Sequence, residues 1–195
     1  MTLPRWGLVL ALVAAPPTAT AQLSRVPPAA EQIAAAVLPL PADMRAAASV
    51  LGYGADGKLV ALRGGTNRMI CLARDPSSEQ FHVACYHDSM EPFMARGREL
   101  RARGINGPQV DSVRFTEAKS GALKLPDHPA VLYSLTGGSF DAKTATAPGA
   151  RGLYVVYVPY ATTVSTGLSD KPQAGGPWIM FPGTPKAHIM FVPGM

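Results

Sequence analysis

The sequence lacks the motifs that define most enzyme families with a local signature. It has no H-E-x-x-H zinc motif, no G-x-x-x-x-G-K-[ST] phosphate loop, no G-x-S-x-G nucleophile elbow and no S-x-x-K pair. It also has no long block of like charge, and its formal net charge is only +5. A nucleic-acid-binding surface needs a basic stripe, usually with stacking aromatic residues, so we expect no nucleic-acid partner.

A dinucleotide cofactor is not expected either. The segment GYGADG at residues 52–57 satisfies G-x-G-x-x-G, but that motif binds a pyrophosphate only where a helix follows it. Here the next run, KLVALR, is short and ends at Gly64 and Gly65. Two β-prone runs around Asp56 and Gly57 are typical of a hairpin. The sequence therefore predicts a turn at this position and no cofactor.

Long hydrophobic runs are missing as well, since no run approaches the roughly 18 residues of a membrane span. Residues 1–21 instead have the pattern of a secretory signal peptide: Arg5, an apolar run at 6–15, and small residues Ala19 and Ala21 before the cleavage point. No cysteine lies nearby for lipid attachment. We predict a signal peptide over 1–21, a flexible lead-in over 22–28 and a single domain over 29–195. The mature chain would be periplasmic or secreted, with no membrane anchor.

Cysteine is scarce, and the two that occur, Cys71 and Cys85, lie close together. In an exported protein such a pair usually forms a disulfide, because the compartment is oxidising. Asp75 and Pro76 predict a turn between two strand-like runs that carry the cysteines. Closing a loop of about 15 residues would stabilise the fold by roughly 3 kcal/mol in the chain-entropy model.

Two alternatives for the cysteine segment stay open. A metal ion could be held around His82, Cys85 and His87, although the spacing fits no standard zinc finger and strand alternation places His82 on the opposite face from the other two. A free or catalytic thiol is the other alternative, but it would have to stay reduced after export.

The order of predicted elements indicates an α+β fold. Helix signals occur at 29–38, 89–103 and 108–120, and strand signals at 48–53, 58–63, 68–73, 80–86, 130–136, 152–160, 178–181 and 188–192. We predict a mostly antiparallel sheet of about six or seven strands, with two or three helices packed mainly on one face. Residues 48–86 are predicted to form a four-stranded antiparallel meander, and the strand near 153–159 to be covered on both faces.

The segment at 89–103 is the clearest helix. Asp88 and Glu91 have the spacing of a capping box, and apolar residues at 90, 93, 94, 97 and 100 form one stripe. The arginines are predicted to form a solvated face; the alternative is a dock for an anionic partner. The candidate partner-binding residues there are Arg96, Arg98, Arg101 and Arg103.

A second segment with functional potential lies at 177–191, where Trp178 and His188 flank a proline-rich turn. Such a segment either seals the edge of a core or lines a cleft, so Trp178 is a further candidate partner-binding residue. We interpret the chain as a non-catalytic binding or accessory protein of unknown ligand. The alternative is a small hydrolase that uses His188 or His128 with partners distant in sequence.

Overall fold

One mixed sheet of eight strands runs through the molecule. The computed structural model describes residues 26–173 and 175–193, and the predicted signal peptide lies outside them. The strand order is β2-β1-β3-β4-β5-β6-β8-β7, and every neighbouring pair is antiparallel except β1 and β3. The α+β prediction is confirmed, with eight strands instead of six or seven. The strands are β1 Ser49–Tyr53, β2 Leu59–Arg63, β3 Met69–Leu72, β4 His82–His87, β5 Ala130–Thr136, β6 Arg151–Tyr157, β7 Trp178–Met180 and β8 His188–Phe191.

Helices cover both faces of this sheet, whereas the sequence predicted mainly one. Adjacent residues of a strand face opposite sides, so Cys85 and Tyr86 mark the two faces of β4. Cys85 lies in the core beneath the first helix, and Tyr86 lies in the core with Phe93 of the second. The helices are α1 Ala29–Ala36, α2 Glu91–Ala102, α3 Pro108–Lys119 and α4 Thr163–Thr166, with 3-10 turns at Ala42–Met44 and Asp88–Met90.

The predicted meander over 48–86 is wrong in one connection. β1 and β2 form the expected hairpin, but β3 pairs in parallel with β1 on its other side. The connection after β2 packs against the residues that lead into β1: Thr66 N–H donates to Ala47 O at 2.7 Å, and a Cβ on Gly65 would lie 2.2 Å from Ser49 N. Only glycine allows this close approach. The approach brings the chain back beside the start of β1, where β3 then pairs with β1.

The disulfide between Cys71 and Cys85 is present, as predicted. The two residues are directly paired across β3 and β4, with their Cα atoms 3.9 Å apart. Both are fully buried beneath α1, next to Ala36 and Leu40. The bond therefore joins two neighbouring interior strands inside the core.

Helix α2 buries the predicted stripe, but its N-terminus is built differently from the predicted capping box. Phe93 and Leu100 are buried, as expected. The cap residue is His87, whose side chain accepts from Ser89 N at the start of the 3-10 turn. Asp88 and Glu91 are instead bonded to arginines, so neither carboxylate closes the box.

The prediction that the arginines of α2 form a solvated face is also wrong for two of them. Arg96 of α2 binds Glu117 of α3 through Nε and Nη2, at distances from 2.6 to 3.1 Å. Arg98 donates to Glu91 at 2.5 Å and to the Tyr86 hydroxyl at 2.9 Å. Charge-assisted contacts of this kind are stronger than neutral ones, so these arginines stabilise the fold. Arg101 and Arg103 are exposed, as predicted.

The face of the sheet that carries α1 is covered only in part. β6 lies between β5 and β8, as a central strand should, but Tyr154 is 40 % exposed on this face and its neighbour Phe191 on β8 is 38 % exposed. The prediction that this strand is covered on both sides is therefore wrong.

None of the helices in the described part of the chain has the length and apolar character that crossing a membrane requires.

We predict that Arg98→Met lowers the free energy of unfolding by about 1–3 kcal/mol, because it leaves the half-buried Glu91 carboxylate without its cation. Arg101→Met, on the same helix but exposed, should change it by less than about 0.5 kcal/mol. Urea unfolding of the two variants measures the difference. Equal effects would show that the Arg98 contacts do not stabilise the fold.

Candidate functional site

Three of the four histidines lie at one end of the sheet. β4 ends at His87, and its antiparallel neighbours β3 and β5 begin beside that residue. His128 precedes β5 by two residues, and His188 opens β8 opposite the last residue of β6. We call this the histidine end of the sheet. His82 opens β4 at the opposite end, where its Nδ1 lies 2.8 Å from Thr136 Oγ1.

A groove with a volume of about 770 Å³ opens at the histidine end. Its floor consists of Ile70, Leu123 and Leu125, which also belong to the core cluster beneath α2 and α3. Pro92 and Pro126 form apolar parts of the wall. The remaining lining residues are Arg68, Asp88, Ser89, Glu91, Ala118, Gly121, Lys124, Asp127 and Tyr160.

Most charged groups of the groove are already paired. Arg68 binds both carboxylate oxygens of Asp88, at 2.9 and 3.1 Å. The hydrogen bond from Arg68 keeps the pKa of Asp88 below its usual value. Asp127 Oδ1 lies 2.5 Å from His128 Nδ1, and this hydrogen bond likewise lowers the pKa of Asp127. Both carboxylates are therefore stabilised in the ionised form, which does not suit a general acid.

Glu91 joins the groove to a network beneath it. Its carboxylate accepts from the Tyr86 hydroxyl at 2.5 Å and from Arg98 at 2.5 Å, and Arg98 also donates to the Tyr86 oxygen. Burial, together with the hydrogen bond to Glu91, raises the pKa of Tyr86. The tyrosine stays protonated near neutral pH, so the network positions Glu91 instead of supplying a base.

His87 and Ser89 form the closest pairing of a nucleophile with a base in the groove. Ser89 lines the groove, and its Oγ lies 2.8 Å from His87 Nδ1. The same nitrogen accepts from Ser89 N at 3.3 Å, so the tautomer with its proton on Nε2 satisfies both contacts. The His87 ring meets the His128 ring edge to face, with centroids 5.7 Å apart. The pair caps the start of α2, and it also has the distance that a serine nucleophile and its base require.

Two groove residues have an unusual backbone conformation. Arg68 and Tyr160 are not glycines, yet their φ angles are +61° and +63°. This region costs free energy for a side chain with a Cβ, and such residues concentrate at binding sites. Tyr160 is 45 % exposed, so its ring is available to a ligand.

His188, one of the two predicted catalytic candidates, is packed into the protein. It is buried, and its Nδ1 donates to Lys186 O at 2.7 Å. Its ring lies 5.0 Å from that of Tyr157 and 5.7 Å from that of Phe181. Trp178 is likewise buried, so this segment seals the edge of the core. His128, the other candidate, is half-exposed beside the groove with the Asp127 carboxylate in reach.

The proposed metal ligands do not come together. Cys85 is bonded to Cys71, and His82 and His87 lie at opposite ends of β4. Within residues 26–173 and 175–193, no group of three or more potential ligands among His, Cys, Asp and Glu could hold a metal ion. The pairing of Ser89 with His87 was missed from the sequence. The triplet His-Asp-Ser before a helix carries that signal, but the same residues are also typical of a capping box.

Comparison with protein-family models, with curated protein sequences and with solved structures finds no significant match for this chain. Function must therefore be argued from the groove and its chemistry.

His188 should make the stability of the protein depend on pH. Burial holds the pKa of His188 below its usual value of 6.5. As the pH falls below that value, the unfolded chain binds a proton that the folded protein does not, so the free energy of unfolding decreases. Between about pH 7.5 and about pH 5.5, the wild type should lose more stability than His188→Gln, whose side chain does not titrate. Urea unfolding at both pH values measures this, and equal losses would contradict it.

Proposed function

We propose that the protein is an exported, non-catalytic binding protein and that the groove at the histidine end holds an extended peptide segment of its ligand. The observation that carries the proposal is the groove itself: a wide opening of about 770 Å³ with an apolar floor and charges of both signs around it. An extended peptide points successive side chains to opposite sides, so those on one side can pack on the apolar floor while the others lie near the charged groups around it.

The state of the charged groups supports binding over catalysis. Asp88 and Asp127 are held in the ionised form by their partners, and Glu91 is engaged by Tyr86 and Arg98. An acid or base that works near neutral pH needs a pKa close to that range. A binding site, by contrast, benefits from carboxylates whose charge and direction do not change.

Export is supported by two features. The disulfide between Cys71 and Cys85 is of the kind that persists in oxidising compartments. The N-terminal sequence has the pattern of a signal peptide, with Arg5, an apolar run and small residues at 19 and 21.

Lys124 provides a direct test of the groove. It is exposed and lines the groove, whereas Lys143 is exposed in the loop between β5 and β6, near the opposite end of the sheet. Random peptides are screened on an array, and the affinity of those that bind is measured by fluorescence anisotropy. Lys124→Glu should lower the affinity for peptides that contain an acidic residue by at least about tenfold. Lys143→Glu makes the same change of charge away from the groove, and it should change that affinity by less than about twofold. If no peptide binds saturably, or both variants behave alike, the proposal fails.

A second candidate function, hydrolysis with Ser89 as nucleophile, is favoured by the 2.8 Å contact between Ser89 Oγ and His87 Nδ1. In this alternative His87 removes the hydroxyl proton, and the groove holds the acyl group of the substrate. Against it, no carboxylate orients the other nitrogen of His87 through a hydrogen bond among the described residues.

The catalytic alternative predicts a loss of turnover in Ser89→Ala. Hydrolysis of p-nitrophenyl acetate should fall by about 100-fold or more in that variant if Ser89 is the nucleophile. Ser120→Ala is the control, because Ser120 is exposed at the end of α3 and its hydroxyl donates to the nearby Glu117 O. Equal rates in wild type and Ser89→Ala would exclude the alternative.

A further inference from the structure

A second, smaller cavity lies at the end of the sheet opposite the groove. Its volume is about 240 Å³, and we call it the small pocket. Three separate parts of the chain form it: the start of α1, the turn between β3 and β4, and the connection after β5. Its lining includes Glu31, Arg74, Glu79, Phe81, Gly138 and Phe140.

The apolar wall of the small pocket is firmly held. Phe81 and Phe140 stack with ring centroids 6.4 Å apart, and both pack in one core cluster with Ala35 and Val83. The loop that carries Phe140 is fixed at its base, where Gly137 N donates to Phe81 O at 2.9 Å. A Cβ on Gly138 would lie only 2.2 Å from Pro148 O, so this loop closes tightly on itself.

The charged groups of the small pocket differ from those of the groove because they are not paired with one another. Arg74 donates from Nη2 to Ser78 O, but its Nε is buried and has no hydrogen-bond partner. Glu31 and Glu79 form no ion pair with any residue that the structure describes. Arg74 is half-buried and lines the pocket, and no carboxylate of the described residues pairs with it.

We propose that the small pocket binds a free α-amino acid with an apolar or aromatic side chain. The side chain would pack against Phe81 and Phe140, the carboxylate would pair with the Arg74 guanidinium, and the ammonium group would lie by Glu31 and Glu79. Separate, unpaired charges of both signs beside an apolar wall are what such a zwitterion complements. Pockets for drug-sized ligands usually measure about 300–1,000 Å³, so the smaller volume here suits a single amino acid.

Isothermal titration of the purified, disulfide-bonded protein with L-phenylalanine tests this proposal. Two analogues that each lack one charge are compared, N-acetyl-L-phenylalanine and 2-phenylethylamine. Each should bind at least about tenfold more weakly than the amino acid, since each loses one charge-assisted contact. If the amino acid does not bind saturably, or if either analogue binds equally well, the proposal is overturned.

Variants locate the site. Arg74→Gln should lower the affinity for L-phenylalanine by at least about tenfold. It should change the affinity for 2-phenylethylamine by less than about twofold, because only the amino acid has a carboxylate. Arg103→Gln, which replaces an exposed arginine at the C-terminal end of α2, is the matched control, and thermal unfolding checks that both variants fold. Lys124→Glu, in the groove, should leave the affinity for L-phenylalanine unchanged. The test of the small pocket is therefore independent of the peptide proposal for the groove. Unaltered binding in Arg74→Gln would overturn the assignment to the small pocket.

Discussion

The register between β3 and β4 is the constraint on which the rest of the structure depends. Cys71 and Cys85 join the two strands covalently where both are fully buried. A slip of one residue would turn every side chain of β4 to the opposite face, and the disulfide forbids it. The two strands also carry parts of both cavities. Arg68 and Asp88 at one end line the groove, and the turn that contains Arg74 and Glu79 lines the small pocket at the other.

The contacts between α2 and α3 show how the second face of the sheet is closed. Arg114 of α3 is buried beneath α2, where it donates to Phe93 O at 3.1 Å and stacks over the Phe93 ring at 3.8 Å. Gly97 makes room for it, since a Cβ there would lie 3.0 Å from Arg114 Nη1. Asp111 binds both Arg114 and Lys186, which ties α3 to the segment before β8. These contacts hold α3 against α2 and against the segment before β8.

Local patterns in the sequence predicted the secondary-structure elements well. They did not predict contacts between residues that are distant in sequence. All eight strand segments follow from β-prone runs between turn residues, and the disulfide follows from two cysteines flanking the Asp75-Pro76 turn. The parallel pairing of β3 with β1 depends on Gly65 packing against Ser49, which no local signal reveals. The approach of His87 to His128 likewise requires β4 to pair with β5. Periodicity places residues on a face, but it does not say which elements meet.

The two cavities differ in how their charges are compensated, and this difference determines what each can recognise. In the groove, Arg68 and Asp88 form an ion pair, so the proposed peptide would gain little from displacing them and would obtain affinity from the apolar floor and from Lys124. In the small pocket, Arg74 has no carboxylate partner among the described residues, so the proposed amino acid would supply an ion pair that the free protein lacks. On the two proposals, affinity in the groove would depend on shape and apolar area, whereas the small pocket would select its ligand by the placement of two charges.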